Sequence, residues 1–188
     1  MNFYIKKHIK LAFKNSAEIS DFYHSMQITY PKFYKMDGIS KLGFIASETL
    51  LKGNENRFDP CEDTAVICFN RSASSEIDRQ YQGTISDNKN FFPSPSLFVY
   101  TLPSIVLGEI AIRNKFLGET SFYILENFDV AQITETVKNA FFDKSTKQVL
   151  FAWIENFNEK HEVLMALVVS EKCDIEFTHE QLKTLYYN

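Results

Sequence analysis

The sequence predicts an α/β domain: a mostly parallel five-stranded sheet covered by helices and closed by a C-terminal β-hairpin. Three observations lead there. Apolar runs with β preference alternate with segments of helical period, the pattern that gives parallel strands joined by crossover helices. The last two apolar runs, 147–157 and 161–170, are separated only by the polar link Asn158 to Lys160, a hairpin signal. The chain has 188 residues, 45% hydrophobic and 15% aromatic, enough for one core burying roughly 70% of the unfolded surface. Residues 1–188 are therefore expected to form a single domain.

The elements follow in order. Residues 3–13 alternate loosely with a period of two, Tyr4, His8 and Leu11 among lysines, and read as a first strand. Residues 15–31 hold Asp21, Phe22, Tyr23 and Met26 and are either a short helix or a packed loop. Residues 36–52 read as an amphipathic helix, capped by Asp37, with Ile39, Leu42, Ile45, Ala46 and Leu50 in helical spacing and Gly53 at its close. Thr64 to Phe69 is a short apolar run typical of a strand buried on both faces, with Cys68 inside it as a small hydrophobe. Ser75 with Asp78 three residues on fits a capping box, and its helix should run to about Ile85.

The stretch from Pro93 to Phe128, PSPSLFVYTLPSIVLGEIAIRNKFLGETSFYILENF, is the unit around which the rest is organised. From Ser104 to Lys115 apolar residues go round more than one face, the mark of a helix buried between layers. Pro103 suits its first turn, Glu109 and Arg113 can pair along its one wet edge, and Gly118 sits where it would end. Thr120 to Leu125 is a strand of strong β preference. An amphipathic helix is expected over 129–142, and a last helix over 177–186 capped by Thr178 with Gln181 three on.

Composition excludes several functions. A net charge of −4 and a pI near 5.6 give no basic field for nucleic acid or an anionic membrane. Lys6, Lys7 and Lys10 break any N-terminal signal pattern, and no run approaches the roughly 18–20 apolar residues of a membrane span. Cys61, Cys68 and Cys173 are odd in number and lack paired metal spacing, so the reading is a reduced, cytoplasmic protein without a metal. The six glycines form no phosphate loop or dinucleotide fingerprint, and there is no G-x-S-x-G elbow, so no cofactor is expected. His161 and Glu162 lack the second His of a zinc-protease helix and read as strand surface. Glu126 and Asp129 flank Asn127 without a visible acid or base partner.

The central stretch resembles the N-terminal half of the β-ketoacyl synthases, the condensing enzymes of fatty-acid and polyketide synthesis, which have the thiolase-type fold. In that family a proline and an apolar segment lead to a central helix with a small residue and a glycine in its first turns. A glycine, a strand and a sharp turn carrying the nucleophilic Cys follow. Laid on this chain without gaps, the pattern falls on Pro95, Ser104, Gly108 and Gly118, and the Cys position falls on Asn127. The segments KMDGISKLGFIASETLL and NRSASSEIDRQYQGTI resemble the family's first helix and the segment after its second strand.

The resemblance implies a single thiolase-like half and argues against the family's own chemistry. Covalent transfer from an acyl carrier needs a thiolate, and an Asn amide has no comparable nucleophile. The family's two catalytic His lie in motifs of its second half, and His8, His24, His161 and His179 stand in none of them. The expectation is a non-catalytic subunit of chain-length-factor type, of the kind found beside bacterial aryl-polyene and flexirubin systems. It implies a homodimer, or a heterodimer with a ketosynthase, formed at the strand holding Phe122, Tyr123 and Ile124. Two other readings stand beside it. One is a small acyl-thioester transferase or hydrolase using another nucleophile; the other is a binding module for acyl carrier protein, with Lys32, Lys35, Lys41 and Arg79 as its basic patch.

Overall fold

The computed structural model describes residues 2–188. One six-stranded sheet organises them, in the order β3-β2-β4-β5-β1-β6. Its strands are β1 (Tyr4–Phe13), β2 (Thr64–Asn70), β3 (Thr120–Ile124), β4 (Gln148–Phe157), β5 (Lys160–Val169) and β6 (Ile175–Glu176). β2 pairs in parallel with β3 and with β4, whereas β4–β5, β5–β1 and β1–β6 are antiparallel. β1 to β4 thus run one way, and β5 and β6 the other. The expected class is α/β and the structure has it; the sheet is mixed, and a sixth strand of two residues was not foreseen.

Side-chain parity along the strands sorts the core into two layers. Val66, Cys68, Leu150, Ala152, Ile154, Val163, Met165 and Leu167 face helices α1 (Ser16–Ser25), α2 (Gly38–Leu50) and α5 (Ile105–Asn114). Ala65, Ile67, Phe69, Val149, Phe151, Trp153, Ala166 and Val168 face α6 (Val130–Asn139) and α7 (His179–Tyr187). A bulge between Ile5 and Lys7 turns β1 over. Phe3 and Ile5 pack toward α6 and α7, and Ile9, Leu11 and Phe13 pack toward the opposite layer.

The most enclosed helix is α2, where every residue from Leu42 to Glu48 is buried. Asp37 caps it as expected, its carboxylate accepting from the Ile39 and Ser40 N–H groups. Gly43 lets α5 approach, since a Cβ there would lie 2.5 Å from Val106. The ambiguous segment 15–31 is helix α1, capped by Asn15, and Tyr23 stacks on Phe33 with ring centroids 3.8 Å apart.

Helix α5 departs from expectation. It is not buried between layers: Val106, Leu107 and Ile110 face α2 and the sheet, while Ile112 is 67% exposed and Leu117, beyond its end, 62%. Glu109 and Arg113 do not pair with each other. Glu109 is buried, accepts from Tyr100 Oη at 3.2 Å and forms an ion pair 2.9 Å from Lys32 Nζ. Arg113 instead joins Arg57 on the buried carboxylate of Glu48, at 2.8 and 2.6 Å. A separate short helix, α4 (Pro95–Val99), precedes α5, with Ser94 as its cap and Pro95 in its first turn. α3 (Ser75–Gly83) starts from Ser74 and stops short of Ile85.

Ser104 is the N-cap position of α5 but makes no capping bond, and Gly108 faces open space. The helix ends on Lys115 in the left-handed conformation, not on Gly118. Gly118 has a different reason: a Cβ there would stand 2.4 Å from the Thr64 carbonyl oxygen, where the chain passes the start of β2. Gly118→Ala is therefore expected to destabilise the protein by about 1–3 kcal/mol in urea unfolding. Gly108→Ala, in a helix with room for the methyl, should be neutral or stabilising by up to about 1 kcal/mol.

Candidate functional site

The connections after β2 and β3 leave toward opposite faces of the sheet: β2 leads to α3 on the α2 side, and β3 leads to α6 on the α7 side. Adjacent strands that diverge this way open a crevice at their carboxyl ends, where ligands of α/β proteins bind. A cleft of about 860 Å³ lies there, lined among others by Arg71, Ser72, Asn127, Phe128, Glu155 and Tyr186.

Asn127 is exposed at the turn from β3 to α6, where the ketosynthase pattern places its nucleophile. The turn is tight, with the Asp129 N–H donating to the Asn127 carbonyl at 2.8 Å. Asp129 caps α6 through the Gln132 N–H at 2.9 Å, which accounts for that carboxylate; Glu126 is exposed. Beneath the turn Phe128 stacks on Tyr186 with centroids 3.7 Å apart and meets Trp153 edge-on at 5.3 Å. Burial, with Glu162 nearby, pushes the Tyr186 phenol up to about 12, so it stays a neutral donor at ordinary pH.

The buried carboxyl group of the cleft is Glu155, 5% exposed near the end of β4. It accepts from the Arg71 backbone N–H and, at 2.7 Å, from Ser72 Oγ. Both donors sit in the turn after β2, which Asn70 shapes by bonding both the N–H and the carbonyl of Ala73. Sequence reasoning missed Glu155, because a lone Glu near a strand end gives no signal until β2 and β4 are known to be neighbours.

Among the described residues no Cys or His lines this cleft. Cys68 is fully buried in β2, and burial pushes its thiol far up. Cys61 lies at the opposite end of β2, its Sγ 3.0 Å from Asp63 Oδ1 and from Thr64 Oγ1, and burial raises its pKa as well. His161 is not plain strand surface: its Nδ1 lies 2.8 Å from Asn156 Oδ1 in a different cavity. Lys35 and Lys41 line that cavity too, while Lys32 is held by Glu109 and Arg79 lies 3.5 Å from Glu76. Among the described residues no cluster of His, Cys, Asp and Glu is arranged to hold a metal, and no helix is long and apolar enough to cross a membrane.

β3 is an outer strand of the sheet, paired only with β2. Phe122 is half-buried, whereas Tyr123 and Ile124 are 38% and 56% exposed.

No protein-family model matches the chain, and no curated protein matches it by sequence. Solved structures do. The ishigamide ketosynthase/chain length factor superposes with a TM-score of 0.73 at 14% identity, over 93% of this chain and 64% of that one. The ketosynthase ApeO in complex with its chain length factor ApeC, from Xenorhabdus doucetiae, gives 0.64 at 12%, over 91% and 80%. The protein therefore has the thiolase-like fold of ketosynthase and chain-length-factor chains, and it spans somewhat under two thirds of the first of them.

In native protein Cys68 should resist iodoacetamide and label only after denaturant is added, as peptide mapping would show. A native-state adduct on Cys68 would contradict its burial.

Proposed function

We propose that the protein is a non-catalytic, chain-length-factor-like subunit that acts beside a ketosynthase in a fatty-acid or polyketide-type pathway, of aryl-polyene kind. The observation that carries this is Asn127 at the β3-to-α6 turn of a ketosynthase-type fold, in a cleft lined by neither thiol nor imidazole. An amide there can neither take an acyl group from a carrier thioester nor be activated to do so by Glu155, whose oxygens are already held by Arg71 and Ser72. Both structural neighbours are described as ketosynthases with chain length factors, which supports a ketosynthase as the partner.

The purified protein incubated with a short acyl-carrier thioester should show no added acyl mass and no thioester loss. Asn127→Cys should become acylated slowly without gaining condensation, because it restores a thiol but no base. An acyl adduct on the native protein would overturn the reading and turn attention to its Cys and Ser residues.

Pairing is assigned to β3. Its outer edge leaves backbone N–H and C=O groups for a further strand, and Phe122, Tyr123 and Ile124 give it an apolar surface. Ile124→Lys should lower the mass of any assembly measured by light scattering, alone or mixed with a ketosynthase. An unchanged mass would remove β3 from the interface.

A further inference from the structure

A second cavity, of about 600 Å³, opens on the other face of the sheet, between the start of α2, helices α3 and α4, and the β4–β5 hairpin. Two of its polar residues, Ser74 and Asn156, are only 5% and 6% exposed. Asn156 Oδ1 lies 2.8 Å from His161 Nδ1 and accepts from it, and Nδ2 has no protein partner among the described residues. Gly38 makes this placement workable: a Cβ there would fall 2.0 Å from Asn156 Nδ2. A donor held at a cavity wall with no protein partner is available to an acceptor that enters the cavity.

The charges around the mouth say what kind. Asp37 is spent on capping α2, and burial raises its pKa. Glu76 lies beside Arg79. Lys35 and Lys41 have no carboxylate within ion-pair distance among the described residues. Ile77 and Leu97 form apolar wall, and the volume exceeds what a bare ion needs and falls in the range of small-molecule pockets.

We propose that this cavity binds a small organic oxyanion, a carboxylate or a phosphate ester, whose oxygens accept from Asn156 Nδ2 while Lys35 and Lys41 supply the charge. The site stands apart from the Asn127 cleft and does not depend on the chain-length-factor reading.

The test is a titration of the full-length, isotope-labelled protein with butyrate and, separately, inorganic phosphate, following the Asn156 side-chain amide and the His161 ring by NMR. Saturable shifts at both residues are expected with at least one probe. Asn156→Asp, close in shape but lacking the donor, should weaken that binding by about tenfold or more. The double variant Lys35→Gln/Lys41→Gln, changed only at the rim, should weaken it similarly and keeps the test decisive if the Asn156 variant misfolds. Saturation by butyrate alone assigns a carboxylate ligand, and saturation by phosphate alone a phosphate ester. If neither probe shifts the Asn156 amide, or the shifts do not saturate and the lysine variant leaves them unchanged, the proposal fails.

Discussion

The β4–β5 hairpin is buried on both faces along most of its length, and the rest of the structure follows from that. From Val149 to Ile154 and from Val163 to Val169 almost no side chain reaches water on either side. Each large apolar side chain so placed contributes roughly 1.5–3 kcal/mol relative to exposure, so both faces must be covered. The chain covers them itself, with α1, α2 and α5 on one side and α6 and α7 on the other. The same parity makes the end of β4 functional. Glu155 and Asn156 are successive residues pointing to opposite faces, one into the Asn127 cleft and the other into the cavity behind it.

Much of the layering was legible in the sequence because it depends on local period. The hairpin, the buried run of β2, the cap on Asp37 and the helix after Asn127 all came from patterns within about a dozen residues. What failed was long-range. Ser104 to Lys115 reads as apolar on more than one face, yet α5 spends only one face on the core while α2 takes the enclosed position. Gly43 allows the close approach of Val106 on α5, a contact that no local pattern encodes. Glu109 and Arg113 have ideal helical spacing for each other, but each finds a partner distant in sequence. The turn from β3 to α6 was expected from the strand and helix on either side of Asn127, whereas the places of Glu155, Asn156 and His161 needed the strand register.

The Glu48 cluster shows how the outer layer is fixed. Arg57, from the loop after α2, and Arg113, from α5, converge on one carboxylate with side-chain exposure of 3%. Removing that carboxylate would leave two guanidinium groups without their partner, and breaking such a buried arrangement costs about 3–5 kcal/mol. Burial works against the Arg57 charge and Glu48 sustains it. The loop and helix α5 are thereby tied to α2, and α5 in turn presents Ile112 outward.

The two edges of the sheet are treated differently, and this bears on where a partner would sit. At one edge β6 has two residues, and beyond it β1 exposes Lys6 and Lys10, a short strand and charges of the sort that discourage strand addition. At the other edge β3 reads TSFYI, without a charge, proline or bulge to protect it. Ile124, Ile112 and Leu117 are each more than half exposed on β3, on α5 and between them, and α4 and the turn after it add Phe98 and Leu102. On the α7 side of the sheet Phe128 stacks on Tyr186 of α7, and both rings meet Trp153 edge-on. Exposed apolar side chains thus lie beside the unprotected β3 edge, with others at Phe92 and Phe142 elsewhere, and a strand added at β3 would cover part of that surface.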